Sequence, residues 1–567
     1  MDFKQEIVNI LGKEIGLSKE ELLGLIEVPP TQDMGDYAFP CFVLSKIFKR
    51  TPNEIAVELS KKIEPSKSKV IERVVSNGPY LNFFLNKKLF AKNTLENIYA
   101  EKENFGRGKE KKDRIMIEYP APNTNKPLHL GHVRNMLLGK SLSNILIFNG
   151  YKVIQVNLNN DRGIHICKSM IAYKKWGEKR EPDKKSDHFV GDFYVLYAKK
   201  VKSDEKLEVE AHQMLEAWEE GNKEVRALWK KMNKWAIDGF NQTYKRFGIK
   251  FNKVYNESDH YEKAKEIVLD AYKKGLFKKD EAGNIVAELE PYALSNKVVL
   301  RENGTSVYMT QDINLAKIKY DDFKMDRSIY VVGSEQNLHF KQLFKILDLL
   351  KFKNTKGLTH LSYGMIALPE GRMKSREGTV VDADNLLDNM EFLAAKEVKK
   401  RHKLTEEEVF ERAKQIGPGA LNFFILKYEP AKDFIFNPKE SLSFEGETGP
   451  YIQYAHARIC SILRKTKTPV SVDVDYSYFN TKEEQRVLKL LGDYPVILKE
   501  SADSYKPSLV ARYLLDLSQS FNEFYHECPI IGEVEELKKA RLLLICCTKE
   551  VLKSGLALLD ISAPERM

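Results

Sequence analysis

His129 and His132 stand three residues apart in Pro127-Leu128-His129-Leu130-Gly131-His132, where a Pro/Asn-rich loop gives way to a helical pattern. A helix start carries partial positive charge and free amides, which favour an anion there. Residues three apart share a helix face, so both imidazoles can meet one phosphate. Each would supply a donor that gains strength as negative charge develops in a transition state. Gly131 between them has no side chain, so a flat base can approach the backbone. The plainer alternative is a helix cap with a partly buried histidine. A second cluster, Gly371-Arg372-Met373-Lys374-Ser375-Arg376-Glu377-Gly378, puts three cations in five residues between glycines. Such a loop can close over a triphosphate and stabilise charge passing to pyrophosphate. Alone it reads equally as a solvated charged turn.

These residues need elements to hold them. Residues 115–119 (IMIEY) predict a short apolar strand, 120–127 a loop, 129–149 a helix with Val133, Met136, Leu137, Leu142 and Ile145 on its apolar stripe, and 151–159 the next strand. This strand–loop–helix–strand order is a βαβ unit, which places ligands at the C-terminal ends of parallel strands. Glu118 is a carboxylate at that edge, one residue before the expected strand end. Residues 172–260 read as charged helices. The whole of 172–300 is expected as an insertion, with strand-like patterns resuming at 298–310 and 327–333. Tyr308 and Asp312 are four apart and share a face once the chain turns helical, although an acid near a helix start is also an ordinary cap.

The flanks differ in character. Residues 1–105 predict a small α/β unit, with a capping box at Thr51-Pro52-Asn53-Glu54 and two strands in 74–85 broken at Asn77-Gly78-Pro79. A polar stretch, 101–114, holds six basic and four acidic residues and marks a boundary. The catalytic α/β domain is expected over 115–400 and an all-α domain over 405–567. Residues 448–472 contain no acid and carry Arg458, Arg464, Lys465 and Lys467 with Tyr451 and Tyr454. Basic side chains among aromatics suit unstacked RNA bases and phosphates, and the tyrosines read equally as helix packing.

With 567 residues the chain exceeds a single core and predicts three or four domains. Hydrophobic residues at 43% exclude a disordered or fibrous chain, and a net charge of +10 leans towards a polyanionic partner. The N-terminus carries acidic residues, unlike a signal or transit peptide. No apolar run approaches the roughly 18 residues of a membrane span. The six cysteines form no CxxC pair, and Cys546 and Cys547 read as buried free thiols. A reduced cytoplasm, no membrane and no structural metal are expected.

IEYPAPNTNKPLHLGHVRN (117–135) resembles the HIGH region of class I aminoacyl-tRNA synthetases, in particular the arginyl-tRNA synthetase family. NNDRGIHI (159–166), VGDFY (190–194), RENGTSVYMTQDI (301–313), VVGSEQNLHF (331–340), GRMKSREGTVV (371–381) and ETGPYIQYAHARICSIL (447–463) follow in the family's order. The resemblance implies a Rossmann-type catalytic domain that joins L-arginine to its cognate tRNA through an arginyl-adenylate, releasing AMP and pyrophosphate. His129 and His132 would assist adenylate formation. Residues 371–378 resemble a degenerate KMSKS loop, with Arg372 at the first lysine position, Lys374 at a serine and Ser375 at the second lysine. Arg376 adds a cation, and Lys126 matches the lysine that other members carry before the histidines. The family's arginine contacts fall on Glu118, Asn123, Tyr308, Asp312 and Gln336, a set suited to a planar five-donor guanidinium. Gly131, Gly364, Met365, Ile366 and Ser375 would meet ATP, with Tyr363-Gly364-Met365-Ile366 resembling the strand that brackets adenine. Tyr451, Tyr454, Arg458 and Arg464 would face tRNA, and 1–105 the tRNA elbow. ATP would bring Mg2+ on its phosphates. A monomer is expected, and the end at Ala563–Met567 resembles the family's own, so an untruncated chain is expected. A cytidylyltransferase would be far shorter, another synthetase would not explain Tyr308, Asp312 and Gln336, and a non-catalytic tRNA-binding relative would have lost a histidine.

Overall fold

The computed structural model describes residues 3–65, 68–260, 263–369, 381–401, 403–466 and 468–567. The chain forms two compact units. One holds residues 1–105 with 459–493 and 519–551, the other 106–458 with 494–518 and 552–567.

In the first unit the N-terminal chain forms α1 (Phe3–Glu14), α2 (Lys19–Leu25), β1 (Tyr37–Pro40), α3 (Ser45–Phe48), α4 (Pro52–Lys62), β2 (Ile71–Asn77), β3 (Tyr80–Leu85) and α5 (Lys87–Glu101). The sheet is antiparallel in the order β1-β3-β2. Thr51 and Glu54 form the expected reciprocal cap of α4, and Gly78, with φ at 56°, makes the β2–β3 turn. Ile7, Leu11, Phe39, Leu59 and Phe83 fill the core.

The second unit is built on a parallel sheet. Along the chain come β4 (Arg114–Glu118), α6 (Leu130–Phe148), β5 (Lys152–Asn159), α7 (Ile164–Trp176), α8 (Ser186–Lys200), α9 (Lys206–Glu219), α10 (Lys223–Arg246), β6 (Lys253–Asn256) and α11 (Ala264–Lys273). Next are β7 (Lys278–Lys279), β8 (Ile285–Ala287), β9 (Lys297–Leu300), α12 (Tyr308–Phe323), β10 (Arg327–Gly333), α13 (Asn337–Leu349), β11 (Leu358–Tyr363) and β12 (Ile366–Ala367). Then follow α14 (Ala383–Arg401), α15 (Glu406–Leu426), β13 (Phe434–Ile435) and α16 (Pro438–Ser441). The main sheet runs β11-β10-β4-β5-β6, every neighbour parallel. All its strands therefore deliver their C-terminal loops to one edge.

Three expectations change. The stretch 172–300 is not one insertion, because β6 inside it pairs with β5 in the main sheet. What separates β5 from β6 is the helical group α7–α10, and β7–β9 form a separate small antiparallel sheet. The strand-like pattern at 298–310 ends at Leu300, a turn with Gly304 at φ 75° follows, and α12 begins at Tyr308. Finally, Glu118 is the last residue of β4 rather than the penultimate one.

α6 is buried well beyond the single predicted stripe. Gly139 on it meets the Tyr119 ring so closely that a Cβ would come within 2.4 Å of a ring atom. Four long helices, α17 (Gly449–Thr466), α18 (Lys482–Ser504), α19 (Pro507–Glu527) and α20 (Glu535–Leu558), complete the chain. From the last residue of α20 onward, within the second unit, the chain is held by its carbonyls. Ser141 donates to Leu558 O (3.0 Å), Asn422 to Asp560 O (2.7 Å), Gln453 to Ser562 O (2.9 Å) and His456 Nδ1 to Pro564 O (3.0 Å). The cysteines are free thiols, Cys547 buried and Cys546 half-buried. Among the described residues no helix is long and apolar enough to cross a membrane.

Candidate active site

The two histidines cap the helix they begin. His129, extended at φ −130° and ψ 175°, precedes α6, and its Nδ1 accepts the Gly131 amide at 3.2 Å. His132 Nδ1 accepts the His129 amide at 3.1 Å. The rings lie 3.9 Å apart between centroids, tilted by 40°. A backbone amide can only donate, so each Nδ1 is an acceptor and each neutral ring carries its proton on Nε2. Burial drives the His129 pKa down to about 3, helped by the Lys126 charge. Burial, His129 and Lys126 push His132 well below the usual imidazole range. The pair therefore presents two neutral N–H donors at the sheet's C-terminal edge.

This corrects the picture of a helix start with free amides. The Gly131 amide is taken by His129, and the Leu130 amide donates to Val381 O at 3.0 Å. The donors this leaves for an anion are on the imidazoles rather than on these two amides. Gly131 also has a different reason for lacking a side chain: a Cβ there would come within 3.0 Å of the His129 ring.

Arg372, Lys374, Ser375 and Arg376 lie outside the described residues. The chain leaving that segment is fastened beside the histidines, where Leu130 pairs with Val381 and the Ala383 amide donates to Leu128 O at 2.9 Å. Asp382 then accepts the amides of Asp384 and Asn385 and starts α14. Among the described residues, His188, Asp382 and Asp384 have the spacing of metal ligands. Asp384 is already met by Lys185 at 3.0 Å and Arg246 at 3.2 Å, which makes it a poor cation site.

The expected arginine residues also collect at this edge. Glu118 is buried and ion-paired with the fully buried Lys319 of α12. Burial, the largest influence, pushes the Lys319 ammonium down, but the charge and hydrogen bond of Glu118, with Tyr330 and Asp312, together outweigh it and the pKa is raised overall. Asp312, on the same face of α12, accepts from His339 Nε2 at 2.7 Å. Tyr308 begins α12 and is 69% exposed. Asn123 is exposed in the loop after β4 and bridges to Asn160, and Gln336 is exposed after β10. The two acids thus do not confront each other unpaired; each has its own partner in the protein.

Glu257, which the sequence did not flag, follows β6 at the same edge. It is buried, 3.8 Å from Arg162, and hydrogen-bonds Gln311. Burial lifts its pKa to about 8, with Arg162 opposing and Asp161 and Asp312 adding to the rise. Arg162 itself reaches Glu219 at 2.5 Å. A short, charged strand gave no sequence signal for Glu257, whereas Asp161 and Arg162 lay in a motif whose chemistry was not read.

Within the first two turns of α6, Asn135 donates to Val331 O (2.7 Å) and to the Tyr363 hydroxyl (3.2 Å), tying the helix to β10 and β11. The space a side chain would take at Gly364 is filled by Asp433 and the backbone of Ala431 and Lys432, Met365 is half-exposed and Ile366 is buried. On α17, Tyr451, Tyr454 and Arg458 are half-buried, with Arg458 4.7 Å over the Tyr454 ring, while Arg464 is exposed.

Residues 94–438 match the family described as tRNA synthetases class I (R), catalytic domain. Residues 452–567 match the DALR anticodon binding domain and 1–85 the arginyl tRNA synthetase N terminal domain. The chain is 48% identical over 559 residues to an arginine–tRNA ligase of Treponema denticola, covering 96% of this chain and 94% of that protein. It is 43% identical to one of Parabacteroides distasonis, covering 94% of each. The solved arginyl-tRNA synthetase of Thermus thermophilus superposes with a TM-score of 0.83 at 27% identity, covering 96% of each chain.

Proposed function

The chain belongs to the arginyl-tRNA synthetase family of class I aminoacyl-tRNA synthetases, and from that premise we propose which of its residues carry each step. The reaction is the ATP-dependent attachment of arginine to tRNA(Arg) through arginyl-adenylate. An arginine carboxylate oxygen attacks the α-phosphorus, and the bond to the bridging oxygen breaks to release pyrophosphate. A terminal ribose hydroxyl of the tRNA then attacks the arginyl carbonyl carbon and AMP leaves.

The observation that carries the assignment is the histidine pair. With both Nδ1 atoms occupied by amides, His129 and His132 direct Nε2–H donors at the phosphate, where negative charge grows in the transition state. Neutral donors serve this without competing with the magnesium that ATP brings on its phosphates. Lys126 adds positive charge beside them. Arg372, Lys374 and Arg376, with Ser375, take the pyrophosphate side, and Gly131, Gly364, Met365 and Ile366 the adenosine. Glu118, Asn123, Tyr308, Asp312 and Gln336 form the arginine pocket, to which Glu257 is added on its burial beside Asp312. Pairing Glu118 with Lys319 and Asp312 with His339 keeps the empty pocket from holding two bare carboxylates.

Residues 1–105 serve the tRNA elbow, 115–400 the chemistry and 405–567 the anticodon, with Tyr451, Tyr454, Arg458 and Arg464 on the RNA side. The enzyme works as a cytoplasmic monomer. The deciding experiment is aminoacylation with each amino acid, for the wild type and Asp312→Asn. A guanidinium makes two-pronged bonds to carboxylates that neutral citrulline cannot match. The variant should need far more arginine, bind ATP as before and lose part of its margin over citrulline. Unchanged arginine affinity and margin would leave Asp312 as a partner of His339 alone.

A further inference from the structure

Arg134 lies two residues after His132 on α6 and is 1% exposed. A guanidinium taken out of water ordinarily finds a carboxylate. This one is received by main-chain carbonyls. Nη1 donates to Gly364 O at 2.5 Å, and Nη2 donates to Pro430 O and Lys432 O, each at 2.8 Å. Met365 O and Glu429 O stand at 3.5 Å. The Phe434 ring lies 4.7 Å from the guanidinium carbon. Burial lowers the pKa to about 10, with Tyr363 and Asp433 acting to raise it, so the group stays charged at neutral pH.

The carbonyls come from two stretches that α6 does not otherwise join by sequence: 364–365, after β11, and 429–432, after α15. Those stretches also hold each other. The Gly364 amide donates to Pro430 O at 2.9 Å, and the Met365 amide to Asp433 Oδ1 at 2.6 Å. Without Arg134, Pro430 O would keep the Gly364 amide, but Gly364 O and Lys432 O would lose the guanidinium that joins them, a bridge that a flat multi-donor fork makes in one step. One rigid helix therefore carries the histidine donors at its start and, within its first two turns, a clamp on the backbone of 364–365.

We propose that Arg134 is a positioning residue for ATP: it fixes the adenine-facing backbone of 364–366 relative to the two histidines, and so sets the spacing between base and α-phosphate. The proposal rests on the assignment of adenine to that backbone and of phosphate to His129 and His132. Arg134's bonds run to Gly364, Pro430 and Lys432 and not to Glu118, Tyr308 or Asp312, the residues assigned to arginine.

The test is steady-state kinetics on the full-length protein with Arg134→Lys, Arg134→Met and Asp433→Ala. Asp433 is exposed, so its variant tests the Met365 tether even where Arg134→Met does not fold. The KM for ATP should rise roughly tenfold or more in Arg134→Met and Asp433→Ala, as charged hydrogen bonds of this kind are worth. The KM for arginine should stay within about twofold, and the preference for ATP over GTP should narrow because the base seat is loosened. Arg134→Lys should recover part of both. Equal rises for ATP and arginine, or a lowered melting temperature with ATP KM and base preference unmoved, would overturn the proposal and make Arg134 a general brace. Failure of the underlying site assignment would show separately, as a His132→Ala variant that retains the wild-type rate.

Discussion

Replacing His129 with Asn separates the two tasks of that ring. Asparagine is among the best helix caps, and its Oδ1 can take the Gly131 amide that Nδ1 accepts at 3.2 Å, so the start of α6 survives. The Nε2–H donor is lost, which costs about 10²–10³ in rate when such a donor serves developing charge. The pH dependence then tests the protonation state. With a pKa of about 3, His129 is protonated in about 0.1% of molecules at pH 6, against about three quarters for an ordinary imidazole. Dividing wild-type kcat/KM by that of His129→Asn cancels the titration of ATP and arginine, which both enzymes share. That ratio should stay constant within about twofold from pH 6 to 8. An unperturbed neutral donor would make it fall about fourfold on going from pH 8 to 6, and a charged donor would make it rise more than tenfold. Either slope refutes the reasoning. The sign for stability runs the same way. The folded pKa lies below the unfolded value, so the stabilisation is present above about pH 6.5 and is lost as pH falls towards 3. Measurements should therefore stay at pH 6 and above.

Lys319→Met should strand Glu118 as a buried, unpaired charge and destabilise the protein by about 3–5 kcal/mol. Adding Glu118→Gln should restore part of the melting temperature, and a single variant as stable as wild type would show that the pair is dispensable. Glu257 has a folded pKa of about 8, above its unfolded value, so its contribution is full below about pH 4.5 and is lost as pH rises through 8. The wild-type melting temperature should fall relative to Glu257→Gln between pH 5 and 8. Parallel curves would mean that Arg162 holds the carboxylate ionised throughout.

The chemistry at the start of α6 was legible because residue type and spacing state it locally: a loop, two histidines one turn apart, a glycine between them. The consumption of the amides was not, since it depends on two ring rotamers and on Val381 arriving from far along the chain. Glu118 could be placed at the sheet edge by counting along a strand, but its partner Lys319 sits in an unremarkable stretch of α12 and only the packing of that helix brings it in. β6 was hidden inside the supposed insertion because four residues beginning with a lysine show no alternation. Tyr308 and Asp312 share a face as expected, but the helix opens at Tyr308, three residues earlier than a strand through 310 allowed. Arg134 carried no signal: an arginine on an amphipathic helix reads as solvent-facing, and its acceptors are main-chain atoms, which sequence does not distinguish.

The grip of Ser141, Asn422, Gln453 and His456 on Leu558, Asp560, Ser562 and Pro564 has a consequence for how this segment can vary. Four side chains read alternate carbonyls, and a carbonyl is the same in every residue. For these four bonds the information lies with the readers, not with the side chains of the residues being read. Ser562, which is exposed, can drift under neutral substitution, whereas Leu559 and Ile561 are held by burial and Asp560 by its ion pair with Lys140 (2.7 Å) and its φ of 56°. Along this stretch, evolutionary constraint should therefore follow side-chain burial and the Asp560 ion pair, and should lift at Ser562 although its carbonyl is bonded.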